Sequence, residues 1–198
     1  MRKKLLIIFY RNPELGKVKT RLAAALGDDM ALAIYIKLVH HTRAITENVA
    51  VDKVVCYSNY VDTEDNWPNG VYSKELQKGE TLGQRLEHAV KNGFDRGYAS
   101  LCVIGTDCFE LSESILKESF GKLEASDAVI GPARDGGYYL LGLKKFSPVF
   151  FYNKQWSAPS VAGNTIGDFE RLGWAYHTLP LLADVDTERD LPDGLKLP

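Results

Sequence analysis

With 198 residues, 45% hydrophobic and 25% charged, the chain has the length and balance of one ordinary globular domain that buries its own core, and a single domain over 1–198 is expected. A formal net charge of −2 leaves no basic surplus for nucleic acid. No run approaches the roughly 18 apolar residues of a membrane span, so no integral membrane segment is expected.

Three cysteines (Cys56, Cys102, Cys108) stand without CxxC spacing, two of them in apolar strand-like runs, which predicts reduced thiols in a cytoplasmic protein. Cys108 has no base paired to it in the sequence and is not expected to act as a nucleophile. Arg2-Lys3-Lys4 before an apolar run is similar to a signal peptide, but Arg11 closes the run without a small-residue cleavage site. A first strand over Lys4–Tyr10 explains it better.

That strand ends in Arg11-Asn12-Pro13-Glu14-Leu15-Gly16, turn chemistry that bars an immediate helix. Lys17, Lys19, Thr20 and Arg21 then lead into Ala23-Ala24-Ala25-Leu26, a strong helix former. A strand, a Gly-containing loop and a helix start rich in Arg and Lys form a site for phosphate; a solvated basic face is the plainer alternative. The GxxxxGK[ST] and GxGxxG patterns are absent.

Asp28 or Asp29 is expected to cap a helix from Met30 to about Asn48, with Leu32, Tyr35, Ile36 and Val39 at helical spacing. His40 and His41 are adjacent, point in different directions and read as structural or surface residues. Strands follow at Lys53–Ser58 and Val71–Leu76. Thr81 stands before a helix with Leu82, Leu86, Ala89 and Val90 as its apolar stripe; its Gly-containing start suits either a plain capped turn or close ligand approach.

Leu101-Cys102-Val103-Ile104 reads as a strand buried on both faces, and Asp107 is the first charge past its exit. In open α/β sheets that is where ligands bind. The alternative is that Asp107 caps the helix expected over Ser112–Leu123.

A strand over Asp127–Gly131 runs into Arg134-Asp135-Gly136-Gly137-Tyr138-Tyr139. Asp-Gly-Gly is a hairpin signal, while the rings of Tyr138 and Tyr139 can line a pocket and donate hydrogen bonds. After a loop near Phe146–Asn153 come a helix over Val161–Leu172 and a strand over Trp174–Leu179. Asp184 and Asp186 alternate around Val185, so in extended chain both carboxylates face one way; Asp186 as a helix cap is the alternative. The tail from Pro192 to Pro198 is expected to be peripheral. Strands alternating with helices, with one late hairpin, predict an α/β fold: a mostly parallel sheet flanked by helices and carrying an antiparallel addition.

The stretches 9–22, Ile104-Gly105-Thr106-Asp107-Cys108, 131–143 and Asp184-Val185-Asp186-Thr187 resemble, in order, the signatures of the DUF2064 family, a glycosyltransferase-like group of the nucleotide-diphospho-sugar transferase superfamily. The resemblance implies a Rossmann-like GT-A fold. By motif, Gly16, Lys19 and Arg21 hold nucleotide phosphates, with Arg11 and Thr20 in the same loop. The resemblance puts Asp107 in the metal-binding position, has Asp186 together with Asp184 supply a second carboxylate, and sets Gly136, Gly137 and Tyr138 at the border of the acceptor or sugar pocket. Two departures are Phe109, where Pro commonly follows Asp-Cys, and Ser157-Ala158 in place of Ser-Thr after the Trp.

The implied activity is transfer from a nucleotide-activated donor, a nucleotide-diphospho-sugar, to a small-molecule acceptor. Mg2+ or Mn2+ would neutralise the leaving diphosphate, and Asp135 is the chosen general base. A nucleotidyltransferase releasing pyrophosphate uses the same fold, although the GxGxRM-type loop is missing; a non-catalytic nucleotide-binding module is the third reading.

Overall fold

The computed structural model describes residues 3–156 and 158–195; Arg2, Ser157 and residues 196–198 of the expected tail lie outside the described residues. The strands are β1 (Lys4–Tyr10), β2 (Asp52–Tyr57), β3 (Ser73–Leu76), β4 (Ser100–Ile104), β5 (Ala128–Pro132), β6 (Tyr138–Leu143) and β7 (Tyr176–Thr178). They form one seven-stranded sheet in the order β3-β2-β1-β4-β6-β5-β7. Around it lie α1 (Thr20–Leu26), α2 (Asp28–Glu47), α3 (Leu82–Asp95), α4 (Glu113–Lys122) and α5 (Val161–Arg171).

β1 pairs in parallel with β2 and β4, and β2 with β3. β6 is antiparallel to β4 and to β5, and β7 is parallel to β5. The hairpin therefore lies within the sheet, with its second strand inserted between β4 and β5. One consequence matters for function: β1, β4 and β5 all point the same way, so the loops that follow them share one rim.

The continuous apolar runs have a direct cause. Leu6 and Ile8 of β1 pack with Cys102 and Ile104 of β4 beneath Tyr35, Val39, Leu116 and Phe120, on the α2 and α4 side. Leu5 and Ile7 pack with Leu101 and Val103 beneath Leu86, Val90 and Phe169, on the α3 and α5 side. Side chains alternate between two covered faces, so neither parity can be polar.

Helix starts depart from expectation in two places. α2 begins at Asp28, so Asp28 and Asp29 occupy its first turn and neither caps it; the junction with α1 is Gly27 at φ 84°, a left-handed conformation that suits Gly. Acidic side chains there still favour the positive end of the helix dipole. α3 opens with a capping box in which the Thr81 hydroxyl accepts from the Gln84 amide at 3.3 Å while the Gln84 side chain accepts from the Thr81 amide. Leu82, expected in the apolar stripe, is instead 45% exposed, in the first turn of α3 on the rim.

Candidate active site

A cleft of about 710 Å3 opens on that rim. β1 delivers its first wall. Asn12, buried to 1% exposure, clamps the turn after the strand: its carbonyl accepts from the Asn59 amide at 3.0 Å and its Nδ2 donates to the Tyr60 carbonyl at 3.0 Å. The Tyr35 hydroxyl, reaching in from α2, donates to the Arg11 carbonyl at 2.7 Å and accepts from the Arg11 amide at 3.1 Å. It also lies 3.2 Å from the Thr106 hydroxyl, so one buried side chain pins the loops after β1 and β4 together.

Lys19 stands at the entry to α1 in a left-handed conformation, φ 48° and ψ 45°. Its side chain is 6% exposed, and its ammonium lies 2.5 Å from Asp107 Oδ1 and 3.2 Å from Asp186 Oδ1. Arg21 approaches the other oxygen of Asp186 at 3.8 Å. Burial alone would lower the Lys19 pKa, but the Asp107 and Asp186 carboxylates outweigh it and hold it above the usual lysine value. Lys17 does not join this group; it pairs with Glu14 at 2.6 Å on the outer surface.

Asp107 is not a helix cap, because the Ser112 hydroxyl accepts from the Ile115 amide and caps α4. Nor is Asp186: Thr187 precedes the short 3-10 turn over Glu188–Asp190, and the Asp190 carboxylate accepts the Thr187 amide at 2.7 Å. What brings these two aspartates together is backbone. The Val185 amide donates to the Asp107 carbonyl at 2.9 Å, while the Val185 side chain is buried with Leu22, Ile34 and Leu38. Val185 turned inward turns both its neighbours to the cleft, and Asp107, Asp184 and Asp186 all line it.

This crowding has an electrostatic cost. Burial, then the Asp107 and Asp135 charges, push the Asp184 carboxyl up to about 7, with Lys19 opposing. The Cys108 thiol next to Asp107 is likewise pushed up to about 12, chiefly by burial, which disfavours its thiolate.

The hairpin turn makes the second wall. Asp135 accepts the Gly137 amide at 2.8 Å, and the Ala133 amide closes the turn on the Gly137 carbonyl at 2.9 Å. Gly136, at φ 89°, sits where any side chain would collide with the backbone of Pro159. Its carbonyl accepts from the Ala162 amide at 2.9 Å, joining the turn to the first turn of α5. The Tyr138 ring lines the cleft edge-on to Trp156, at 6.4 Å between centroids. Its hydroxyl, by contrast, is sealed from solvent without a hydrogen-bond partner among the described residues.

Of the residues singled out from sequence, Arg11, Lys19, Thr20, Arg21, Asp107, Asp135, Gly137, Tyr138, Asp184 and Asp186 line this cleft. Gly16 and Gly136 do not; they stand behind it and shape its loops, each with positive φ. Sequence reading missed Tyr35, Asn12 and Trp156. A Tyr at helical spacing looks like core, and only the fold shows where its hydroxyl ends.

The profile of one family, described as uncharacterized proteins conserved in bacteria (DUF2064), matches residues 41–158. The chain belongs to the DUF2064 family. Lys19, Asp184 and Asp186 fall outside the matched span, and the structure brings them into one cleft with Asp107. No curated protein matches the sequence.

Among solved structures, a proposed nucleotide-diphospho-sugar transferase from Desulfovibrio desulfuricans G20 is 32% identical over 94% of this chain and 84% of its own, with a TM-score of 0.87. Two more distant structures share the fold. Glucosyl-3-phosphoglycerate synthase from Mycobacterium tuberculosis, in complex with Mn2+, uridine-diphosphate-glucose and glycerol 3-phosphate, is 13% identical over 96% of this chain and 74% of its own, TM-score 0.58. A cytidylyltransferase from Leptospira borgpetersenii is 15% identical over 96% and 84%, TM-score 0.52. This DUF2064 chain thus has the GT-A-like fold found in glycosyl and nucleotidyl transferases.

No three His, Cys, Asp or Glu side chains among the described residues form a ready metal cage. A cage is not what Mg2+ or Mn2+ needs beside a phosphate substrate, where one or two carboxylates suffice and substrate oxygens complete the shell. Asp107 and Asp186 are hard oxygen donors already converging on one cation. The donor set therefore fits such an ion.

Proposed function

We propose that the protein is a metal-dependent transferase that uses a nucleotide-activated donor, a nucleotide-diphospho-sugar, to modify a small hydroxylated acceptor. The observation that carries this reading is the pairing of opposite charges at the ends of β1 and β4: Arg11, Lys19 and Arg21 beside Asp107, Asp184 and Asp186 in one cleft. Cations there suit the donor's phosphates, and the carboxylates suit the divalent ion that a diphosphate brings with it.

When bound, the ion would supply charge neutralisation for the leaving nucleoside diphosphate. Asp107 and Asp186 would hold it. Lys19 and Arg21 would take the phosphate oxygens as hydrogen-bond donors without moving a proton. As the bond between the sugar carbon and the phosphate oxygen breaks, an acceptor hydroxyl attacks that carbon and gives its proton to a base. Asp135 is our choice for that base, since it lines the hairpin side of the cleft with one oxygen free of the Gly137 amide.

The hairpin side supports an uncharged, hydroxylated acceptor, because this wall presents Asp135, Tyr138, Trp156 and Val161. The similarity to a cytidylyltransferase extends to the fold alone.

Thermal shift against nucleoside diphosphates, triphosphates and nucleotide-sugars, each with and without Mn2+, tests the proposal. A ligand at about 100 times its Kd adds about 2.7 kcal/mol, which for a chain of this size is roughly 5–10 °C in Tm. We expect such a shift with one nucleotide-sugar and Mn2+, its metal-dependent part absent in Asp107→Asn, and release of nucleoside diphosphate on turnover. Shifts with triphosphates alone, or pyrophosphate as product, would replace this reading with nucleotidyl transfer.

A further inference from the structure

Lys19 is the most enclosed charged group of the cleft, and its ammonium already occupies a cation position. The side chain is 6% exposed, whereas those of Asp107 and Asp186 are 46% and 39% exposed. The lysine plugs the floor while its two carboxylates remain open to the cleft above. We propose that Lys19 is an exchangeable counter-ion: its ammonium holds Asp107 and Asp186 in the ligand-free protein, and leaves them for the donor's phosphates when a divalent cation binds.

This inference rests on the metal-dependent reading above, and three physical points carry it. The first is competition. A divalent ion of this class binds carboxylate oxygen at about 2.0–2.1 Å, and Lys19 already holds an Asp107 oxygen at 2.5 Å, so the two cations would divide the charge of one carboxylate. Like charges held by one carboxylate also repel, even where the cleft admits water.

The second point is the fate of the displaced charge. A buried ammonium stripped of both carboxylates and given nothing in return is strongly unfavourable. Metal binding to the protein alone must therefore work against Lys19. A nucleotide diphosphate removes that penalty by offering anionic oxygens at the same end of the cleft.

Reach is the third. The flexible four-carbon stem can turn without moving the backbone, and the left-handed φ of 48° fixes the Lys19 Cα at the junction between the β1 loop and α1, facing the cleft. Metal and nucleotide are then coupled through one side chain, and each raises the affinity for the other by the same factor.

The test is Mn2+ binding to the nucleotide-free protein, read as loss of the free-ion EPR signal, for wild type and Lys19→Met. Met keeps the four-atom stem without the ammonium and, like Lys, is a non-glycine residue at the left-handed position. Removing the competing charge should tighten Mn2+ binding by roughly ten-fold or more, in the range of ordinary coupling between sites. Adding Asp107→Asn to Lys19→Met should abolish the gain, which ties the ion to that carboxylate. Lys19→Gln, which can still hydrogen-bond both carboxylates, is the second variant should the Met protein fail to fold. In the wild type, the 15N-detected ammonium resonance of Lys19 should shift on adding Mg2+ with UDP-glucose or whichever nucleotide-sugar gives the thermal shift.

Unchanged or weaker Mn2+ binding in both neutral variants, with the wild type still showing its Mn2+-dependent nucleotide shift, overturns the exchange and leaves the transferase reading standing. Absence of Mn2+ binding in every protein, with or without nucleotide, overturns both.

Discussion

Two tyrosines make opposite use of the same group. The Tyr35 hydroxyl bonds both backbone groups of Arg11 and meets Thr106, whereas the Tyr138 hydroxyl is buried with no partner among the described residues. Loss of one partner leaves a buried group unsatisfied and costs about 1–3 kcal/mol, but loss of a group that had no partner costs nothing and relieves a desolvation penalty. Tyr35→Phe should therefore destabilise the protein by about 1–3 kcal/mol, while Tyr138→Phe should leave stability unchanged or up to about 1 kcal/mol higher. Urea denaturation of the two variants side by side checks both; a large loss in Tyr138→Phe would reveal a partner for that hydroxyl. The sequence discloses neither fate. It does disclose the Asp184-Val185-Asp186 alternation, because a period of two is a local property of extended chain, needing only the knowledge that Val goes inside.

Among elements, the β5–β6 hairpin carries the most functional weight. Its turn holds Asp135, its glycine abuts Pro159, and its Gly136 carbonyl receives the Ala162 amide of α5. Gly136→Ala should cost about 2–4 kcal/mol, from positive φ and overpacking together, and should disturb the Trp156 wall; chemical denaturation and Trp fluorescence measure the two effects. A variant as stable as the wild type would mean that the 158–160 backbone yields easily. Asp-Gly-Gly announced this turn in the sequence, since the demand for positive φ is chemical and local. Where the hairpin docks was not legible. The insertion of β6 between β4 and β5 depends on the Leu101–Leu143 and Val103–Leu141 pairings, and apolar residues at each of those positions would fit several neighbours. Leu82 was misread for a related reason: helical spacing marks a face, but whether one end of that face meets the sheet or the open cleft is tertiary.

For the molecule as a whole, the fold class was legible because buried parallel strands, helix starts and the hairpin agree with one another, and local consistency is what selects a fold. Closure of the active-site rim was legible only in outline, since it depends on the 182–186 segment crossing back to Asp107 from the far end of the chain. The two covered sheet faces also yield a test of global opening. Cys56, Cys102 and Cys108 are free and buried, and burial pushes each thiol up to about 12. A disulfide reagent at pH 8 should react negligibly with the native protein and with all three thiols in denaturant. Rapid native labelling of one thiol would show that its face opens locally, without global unfolding.

The place of β6 has a further consequence, for how the protein is made. β4 and β5 emerge from the ribosome before the strand that separates them, so the apolar flanks Leu101–Ile104 and Ala128–Gly131 wait unpaired on that side. The 39 residues that follow Ile104, up to Leu143, take about 2–8 s to synthesise at about 5–20 residues per second. Throughout that interval β4 carries a naked sheet edge, and once Ala128–Gly131 is made the edge of β5 joins it; each is able to capture the other in a non-native parallel register or to recruit a neighbouring polypeptide. Newly made protein, more than the finished fold, is where this chain is exposed to aggregation.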